Sequence, residues 1–176
     1  MVFLRAATQS DMNLLYEWAN DPAVRENSFN TDPIPYETHV AWFQRMINDD
    51  GILQFILMDG EIPVGQIRLS LLLEEAEIGY SIASEFRGKG YGRRILQLIV
   101  EKVQDSYPNI QKLVAKVKPD NIPSKRLFES EGFNMTYSGC SLRIHEGEYY
   151  EPSEFNIFGV PDAICLADIY ERRTAK

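Results

Sequence analysis

Twelve residues in the middle of the chain, EFRGKGYGRRIL (Glu85–Leu96), combine three glycines with four basic side chains. Gly88, Gly90 and Gly92 recur every second residue, and apolar residues at helical spacing follow them. The N-terminus of a helix carries about half a positive charge and unpaired N–H groups, and glycines let a ligand approach those groups closely. The stretch therefore predicts a site for phosphate or pyrophosphate. The alternative interpretation is a basic surface turn in which the glycines supply positive φ angles.

The two common phosphate-binding motifs do not occur in this stretch. A P-loop needs Gly-x-x-x-x-Gly-Lys-Ser/Thr, which the chain lacks. The dinucleotide fingerprint needs Gly-x-Gly-x-x-Gly, and Arg93 stands where its last glycine should be. The predicted anion site must therefore use another motif.

The composition limits the classes of protein that fit the chain. A net charge of −8 argues against general nucleic-acid binding, because that binding needs a basic face. The apolar stretches are too short to span a bilayer, and the start of the chain lacks the apolar region of a signal peptide, so we expect no membrane partner. Two cysteines cannot form a disulfide framework, which favours a reducing, cytoplasmic location. His39 and His145 do not stand at zinc-ligand spacing, so we expect no metal.

The glycine-rich stretch needs a strand before it and a helix after it, and the sequence predicts both. AEIGYSIA (residues 76–83) has the pattern of a strand, and apolar residues at helical spacing follow the glycines. Asp59-Gly60 is a strong hairpin signal between two apolar segments. The other predicted elements are strands at 3–6, 52–58, 62–73, 112–118, 134–143 and 154–160, helices after Thr8, at 36–48 and at 121–132, and a short amphipathic end. We predict one α+β domain, residues 1–176, built on a mixed sheet.

Two blocks of residues resemble the GNAT superfamily of acetyl-CoA-dependent N-acyltransferases. The family signature Arg/Gln-x-x-Gly-x-Gly/Ala follows the fourth strand and opens the third helix, and Arg87-Gly88-Lys89-Gly90-Tyr91-Gly92 matches it. The second block is Asn-x-x-Ala/Ser-x-x-Leu/Phe-Tyr/Phe-x-x-x-Gly-Phe, filled in register by Asn121, Ser124, Leu127, Phe128, Gly132 and Phe133. The resemblance implies a single-domain GNAT-like fold, with a mixed, mostly antiparallel twisted sheet of about six to seven strands flanked by helices.

The resemblance also implies acetyl-CoA as the cosubstrate and assigns its binding site. Backbone amides from Arg87 to Gly92 would hold the pyrophosphate, while Arg87, Lys89 and Arg93 would add charge-assisted contacts. The end of the fourth strand would pair with the pantetheine arm as another strand would, and Asn121 would close on that arm from the far side. The implied cofactor-binding residues are Ser81, Ile82, Arg87, Gly88, Lys89, Gly90, Tyr91, Gly92, Arg93, Asn121 and Ser124.

The implied reaction is direct attack of a neutral amine on the thioester, which needs a base for the ammonium and help for the leaving thiolate. Glu77 is the candidate base, because related enzymes often carry a Glu on the strand that presents the thioester. Its alternative interpretation is a charged strand edge. Many family members carry a tyrosine in the second block to protonate the thiolate, but Phe128 stands there. Tyr137, Tyr80, a water molecule or unassisted departure are the open alternatives, and Tyr137 is kept as the candidate residue.

The acceptor hypothesis comes from residues 18–43. This stretch resembles the matching region of enzymes that acetylate amino-sugar nucleotides and, less closely, of ribosomal-protein N-terminal acetyltransferases. Arg25 and His39 are candidate contacts for a nucleotide or a sugar hydroxyl, with helix-surface and capping roles as the alternative. The predicted partner is a small-molecule amine, with a nucleotide sugar as the specific hypothesis, and a homodimer is left open.

Two other functions are kept as hypotheses. One is a protein N-terminal acetyltransferase. The other is a catalytically silent acyl-CoA-binding module, which Phe128 favours and Glu77 disfavours. Release of thiol from acetyl-CoA in the presence of amines would discriminate the silent module from an enzyme.

Overall fold

The computed structural model describes residues 1–145, 148–150 and 163–174, which form one sheet with helices packed on it. The strands are β1 (Val2–Ala6), β2 (Ile52–Asp59), β3 (Ile62–Leu72), β4 (Glu75–Ile82), β5 (Lys112–Val117), β6 (Asn134–His145), β7 (Glu148–Tyr150) and β8 (Ala163–Arg173). The α-helices are α1 (Met12–Ala19), α2 (Pro22–Asn27), α3 (Tyr36–Met46), α4 (Tyr91–Ser106) and α5 (Ile122–Ser130). In this part of the chain, each helix is too short or too polar to cross a bilayer.

The strand order is β1-β2-β3-β4-β5-β8-β6-β7. Neighbouring strands are antiparallel except β4 and β5, which run parallel. β2 and β3 form the hairpin predicted at Asp59-Gly60, where Gly60 has a φ of 59°. The α+β class and the mixed, mostly antiparallel sheet are thus confirmed. The described residues contain eight strands, against about six to seven expected, and two of them, the three-residue β7 and β8, are absent from the predicted elements.

The end of the chain differs from its prediction. β8 is a strand, whereas the sequence predicted a short amphipathic end. Ala167 and Ile169 are buried on one face of β8, and Asp168 and Tyr170 are buried on the other. A strand buried on both faces lacks the alternation by which a strand is recognised. The strand predicted at 154–160 lies outside the described residues.

α4 covers one face of the sheet, which we call the α4 face. Its apolar residues Ile95, Leu96, Ile99 and Val103 are buried against the apolar side chains of β3, β4 and β5. Full burial of each such side chain contributes about 1.5–3 kcal/mol. α5 lies on the same face, where its Phe128 joins the same cluster. The α4 face therefore holds both helices of the two sequence blocks.

α1 and α3 cover the opposite face, which we call the α3 face. Leu15 of α1 packs with Phe43 and Met46 of α3 against Ile56 and Met58 of β2. This second cluster fixes α1, and the short α2 that follows it, beside the end of β4.

α2 is a separate helix that is missing from the predicted elements. Asp21 Oδ1 accepts hydrogen bonds from the N–H groups of Ala23 and Val24, at 3.1 and 3.2 Å. A proline in the first turn costs nothing, because its missing N–H would have had no helical partner there. Capping by Asp21 and the position of Pro22 thus start a new helix.

Candidate active site

β4 pairs differently with its two neighbours. Its pairing with β3 extends along the whole strand. Its pairing with β5 is limited to three residue pairs, the last of which joins Glu77 to Val114. Residues 78–82 of β4, which we call the free edge, therefore have no strand of the described residues opposite them on the β5 side. Such an edge can bind an extended ligand that carries amide groups, as it would bind another strand.

The loop after β4 carries the glycine-rich motif to the start of α4. Gly88 and Gly90 have positive φ angles of 72° and 86°, and Gly90 is the N-cap residue of α4. A Cβ atom placed on either glycine would have no atom within 4 Å, so backbone conformation, not crowding, requires glycine there. The first N–H groups of α4 have no intrahelical partners, and Gly90 offers no side chain to accept from them. The loop is thus a cradle of open backbone N–H groups at the positive end of a helix, which fits a pyrophosphate.

Two of the predicted basic side chains already have carboxylate partners. Arg87 donates from Nη2 to Asp21 Oδ1 at 2.6 Å and from Nε to the carbonyl of Ile82 at 3.0 Å. Burial alone would raise the pKa of Asp21, but the hydrogen bonds from Arg87 and from the α2 backbone outweigh it and hold that pKa below its ordinary value. Arg93 pairs with Glu131 at 2.9 Å. Arg87 therefore links the glycine loop to the start of α2.

Lys89 and Tyr91, the two other residues of the motif that carry side chains, do not pair with the same elements. Lys89 Nζ lies 5.3 Å from the ring centroid of Phe86. The Tyr91 hydroxyl donates to Asp59 Oδ2 at 2.6 Å, which fastens the start of α4 to the end of β2. Lys89 thus contacts the Phe86 ring, and its charge also acts on the nearby Glu85 carboxylate.

The start of α5 faces β4 across the α4 face. Asn121 Oδ1 caps α5 by accepting from the Ser124 N–H at 3.3 Å. The Ser124 hydroxyl lies 3.1 Å from the hydroxyl of Tyr80 on β4, and the Tyr80 ring meets Phe128 edge-on with centroids 5.7 Å apart. A Cβ atom on Gly92 would lie 3.0 Å from Leu127, so glycine permits close packing of α4 on α5. The two sequence blocks thus meet beside the free edge.

Glu77 lies on the other face of β4. Side chains alternate along a strand, so Glu77, Gly79 and Ser81 point to the α3 face. The Glu77 carboxylate pairs with Lys116 Nζ of β5 at 3.2 Å, and its side chain is 29% exposed. A Cβ atom on Gly79 would have no atom within 4 Å, so there is open space beside Glu77 on this face. The predicted base is thus ionically paired, reachable, and at the point where β4 leaves β5.

Two strands lie between Tyr137 and β4. Tyr137 is on β6 opposite Ile169 of β8, so that β5 and β8 stand between it and β4. Regular strand spacing puts this separation at roughly 14 Å. Its side chain is 67% exposed. The structure therefore does not bring Tyr137 to the free edge, and its catalytic role stays a prediction.

Arg25 and His39 have their polar atoms engaged within the fold. The Arg25 guanidinium donates to the backbone carbonyls of Ala19, Asn30 and Asp32 and to the Ser28 hydroxyl, at 2.7 to 3.2 Å. His39 is 3% exposed, and its Nε2 lies 2.9 Å from the carbonyl oxygen of Met12. Burial lowers the pKa of both side chains, although the Met12 contact partly opposes the shift in His39. Their contacts hold α1 to its neighbours and do not support the predicted binding of an acceptor.

A cleft of about 360 Å³ lies between the end of β4 and the helices α1 and α2. Three carboxylates line it, from Glu17, Asp21 and Glu85, together with the guanidinium of Arg87. Sequence reasoning missed Glu17 and Asp21, although the Asp21-Pro22 pair is a recognisable helix start. No group of three His, Cys, Asp or Glu side chains suited to a metal ion occurs in the part of the chain that the structure describes.

The family follows from comparison with known proteins. Residues 2–134 match the acetyltransferase (GNAT) domain family. This match covers the strand, the glycine loop and the second block, so the chain belongs to the GNAT acetyltransferase family. The predicted family is confirmed, and the domain is of the acetyl-CoA-dependent N-acetyltransferase class.

Individual relatives are distant. An uncharacterised protein of Methanocaldococcus jannaschii is 28% identical over 142 residues, which is 78% of this chain but 29% of that protein, so the chain spans less than a third of this relative. An L-amino acid N-acetyltransferase of Escherichia coli is 22% identical over 69% of this chain and 78% of its own. A crystal structure of spermidine N-acetyltransferase from Vibrio cholerae, with CoA and spermine, has a TM-score of 0.75 at 18% identity, over 98% of this chain and 95% of that chain. This likeness confirms the fold.

Proposed function

We propose that the protein transfers an acetyl group from acetyl-CoA to a small primary amine by direct attack while both substrates are bound. The observation that carries this proposal is the separation of β4 from β5 after Glu77, with the glycine loop directly after the free edge. An extended arm can lie along the free edge while its anionic end reaches the open N–H groups of the loop. Acetyl-CoA supplies the activated acetyl group as a thioester.

Each predicted cofactor contact has a place in this proposal. Backbone amides of the loop from Arg87 to Gly92 would hold the pyrophosphate, and Lys89 would add a charge-assisted contact. The guanidinium groups of Arg87 and Arg93 would bind the pyrophosphate in addition to their present partners, Asp21 and Glu131. The free edge, including Ser81 and Ile82, would bind the pantetheine arm, and Asn121, Ser124 and Tyr91 would flank it.

Glu77 would accept the proton that the acceptor amine must lose. Its carboxylate faces the α3 face at the end of the β4–β5 pairing, where Lys116 Nζ lies 3.2 Å away. A carboxylate there also attracts a cationic acceptor before the reaction. The open space over Gly79 leaves room for the amine beside Glu77.

The charges of the cleft favour a cationic acceptor over a nucleotide sugar. Glu17, Asp21 and Glu85 outnumber Arg87 there, and Arg25 is engaged with backbone carbonyls. The two phosphates of a nucleotide sugar would meet carboxylates, which is unfavourable. Names of similar proteins, an L-amino acid acetyltransferase and a spermidine acetyltransferase, agree with a small amine. The single-domain organisation (1–176), the homodimer and the cytoplasmic location stay predictions.

Thiol release from acetyl-CoA with a panel of amines tests the proposal. The panel contains diamines and polyamines, amino acids, a free amino sugar, its nucleotide form and a peptide with a free N-terminus. We expect turnover with small cationic amines and little with the nucleotide form. Turnover with the peptide alone would favour a protein N-terminal acetyltransferase. Clear binding of CoA without turnover on any amine would favour the silent acyl-CoA-binding module.

A further inference from the structure

The proposed reaction leaves one proton unassigned. When the bond from the acetyl carbon to sulfur breaks, the departing thiolate needs a proton or a hydrogen-bond donor. Phe128 has no hydroxyl to offer, although it stands where many family members carry a tyrosine. If the protein supplies the donor, it comes from another element that reaches the free edge of β4.

Tyr80 is the tyrosine that the fold places at this edge. It belongs to the part of β4 beyond the pairing with β5, and it points to the α4 face, opposite to Glu77. Its hydroxyl lies 3.1 Å from Ser124 Oγ in the first turn of α5. Its ring packs edge-on against Phe128, at 5.7 Å and 80°. The Tyr80 hydroxyl therefore lies between the free edge and α5. Its ring packs against Phe128, which has no hydroxyl.

Several other tyrosine hydroxyls are engaged or far away. Tyr91 donates to Asp59, Tyr170 to Glu129 and Tyr36 to Asn13. Tyr137 lies on β6, with β5 and β8 between it and β4. Tyr80 is thus better placed for this role than any of these four.

We infer that Tyr80 is the catalytic acid of this site, donating its hydroxyl proton to the leaving sulfur. This inference rests on the proposed function. Glu77 on the α3 face takes the proton of the amine as the bond from nitrogen to carbon forms. Tyr80 on the α4 face gives its proton to sulfur as the bond from carbon to sulfur breaks. The half-buried Ser124 hydroxyl then returns a proton from solvent to Tyr80.

The surroundings of Tyr80 keep it in the acid form. Burial raises its pKa above the ordinary value, and the hydrogen bond with Ser124 opposes this only in part. The phenol therefore stays protonated at neutral pH until a developing negative charge lies next to it. A hydrogen bond to a charged acceptor is stronger than one to a neutral acceptor, so the contact strengthens as the thiolate forms.

The first test compares Tyr80→Phe with the parent protein in acetyl transfer to the best amine. We expect turnover to fall by about 10²-fold or more, with the Michaelis constant for the amine unchanged. Tyr170→Phe is the matched control, because it removes a hydroxyl that contacts α5 from a fully buried tyrosine away from the free edge. We expect near-parental turnover in this control. Parental turnover in Tyr80→Phe would overturn the inference.

The second test measures binding and does not depend on turnover. Calorimetry compares CoA with desulfo-CoA in the parent protein and in Tyr80→Phe. If the hydroxyl contacts sulfur, the preference for CoA over desulfo-CoA should fall about tenfold in Tyr80→Phe, since only the parent has both partners. Loss of turnover with an unchanged preference would assign the loss to packing and overturn the inference. Because this cycle needs no acceptor, it decides the inference even if no amine is acetylated, in which case the proposed function fails separately.

Discussion

The two faces of β4 are built in different ways. On the α4 face, the predicted cofactor contacts come from two short continuous blocks, the loop from Arg87 to Gly92 and the first turn of α5. On the α3 face, the predicted acceptor side draws on distant segments: Lys116 of β5 pairs with Glu77, and Glu17 and Asp21 line the cleft at the end of β4. Glycine conformation and helix caps are properties of a few neighbouring residues. The acceptor side instead exists only once the sheet and helices have packed.

The faces also differ in charge. The glycine loop concentrates basic side chains in a chain of net charge −8, whereas the cleft beside α1 and α2 carries three carboxylates. An anionic ligand on the loop and a cationic ligand in the cleft would therefore meet at the end of β4, where Ser81 and Ile82 also line the cleft. Arg87 connects the two sides, because it belongs to the loop and pairs with Asp21 at the start of α2. Four predictions test this arrangement, beginning with the largest expected effect.

Glu77→Gln should lower turnover by about 10²–10⁴-fold at neutral pH, because glutamine keeps the size but cannot accept the proton. Affinity for acetyl-CoA should stay unchanged, since Glu77 points away from the α4 face. Higher pH should partly restore turnover as more acceptor becomes neutral. Steady-state kinetics from pH 6 to 9 with calorimetry of acetyl-CoA binding would check this.

Glu75→Gln is the control for Glu77→Gln. Glu75 lies on the same face of β4, two residues away, and pairs with Lys112 of β5 at 2.6 Å. Each variant removes a carboxylate that pairs with a lysine of β5, and Lys112 keeps Glu171 at 3.3 Å, so only Glu77→Gln should reduce turnover strongly. Equal losses in both, or parental turnover in Glu77→Gln, would remove Glu77 from the mechanism.

Gly90→Val should weaken acetyl-CoA binding at least tenfold, because valine disfavours a φ of 86° and would cover the open N–H groups. Gly60→Val is its matched control, at a φ of 59° in the hairpin between β2 and β3, also with no atom within 4 Å of an added Cβ. Both variants should lose similar stability, but only Gly90→Val should lose affinity in calorimetric titration. Unchanged affinity in Gly90→Val would contradict the cradle.

This contrast explains how much the sequence could predict. The hairpin at Asp59-Gly60, the helix after the glycines and the cap at Asn121 depend on local residues, and the structure contains all of them. Arg25 and His39 were predicted as acceptor contacts because their types suit a nucleotide or a sugar. Their partners are the carbonyls of Ala19 and Met12, which packing brings close and local sequence does not reveal. The ion pair of Glu77 with Lys116 could likewise not be predicted from the sequence, since it depends on the register of β4 and β5.

Arg87→Ala should weaken acetyl-CoA binding by a few-fold only, because the side chain is 37% exposed and already pairs with Asp21. Asp21→Asn is the informative counterpart. Asparagine keeps the cap of α2 but releases Arg87, so affinity for acetyl-CoA should rise slightly. Calorimetry on both variants would check the link between the two faces. A weaker affinity in Asp21→Asn would mean that the Asp21 pair itself orders the loop for binding.

The smallest expected effect concerns His39, which packs beneath the acceptor side. Burial lowers its pKa below the ordinary value near 6.5, and the Met12 contact opposes this in part. The unfolded chain therefore binds a proton more readily than the folded protein. The free energy of unfolding should accordingly be independent of this group above about pH 7 and fall as the pH drops below about 6.5. Urea unfolding at pH 7.5 and 5.5 would measure the difference, and His39→Gln should reduce it, since glutamine does not titrate. The chain's other histidine is present in both proteins, so its contribution to the pH dependence cancels in the comparison.

The Michaelis constant for the acceptor at pH 7.5 should stay the same in His39→Gln if His39 packs and does not bind the acceptor. A raised constant with an unchanged pH dependence of stability would return His39 to the binding site and weaken the division between the two faces.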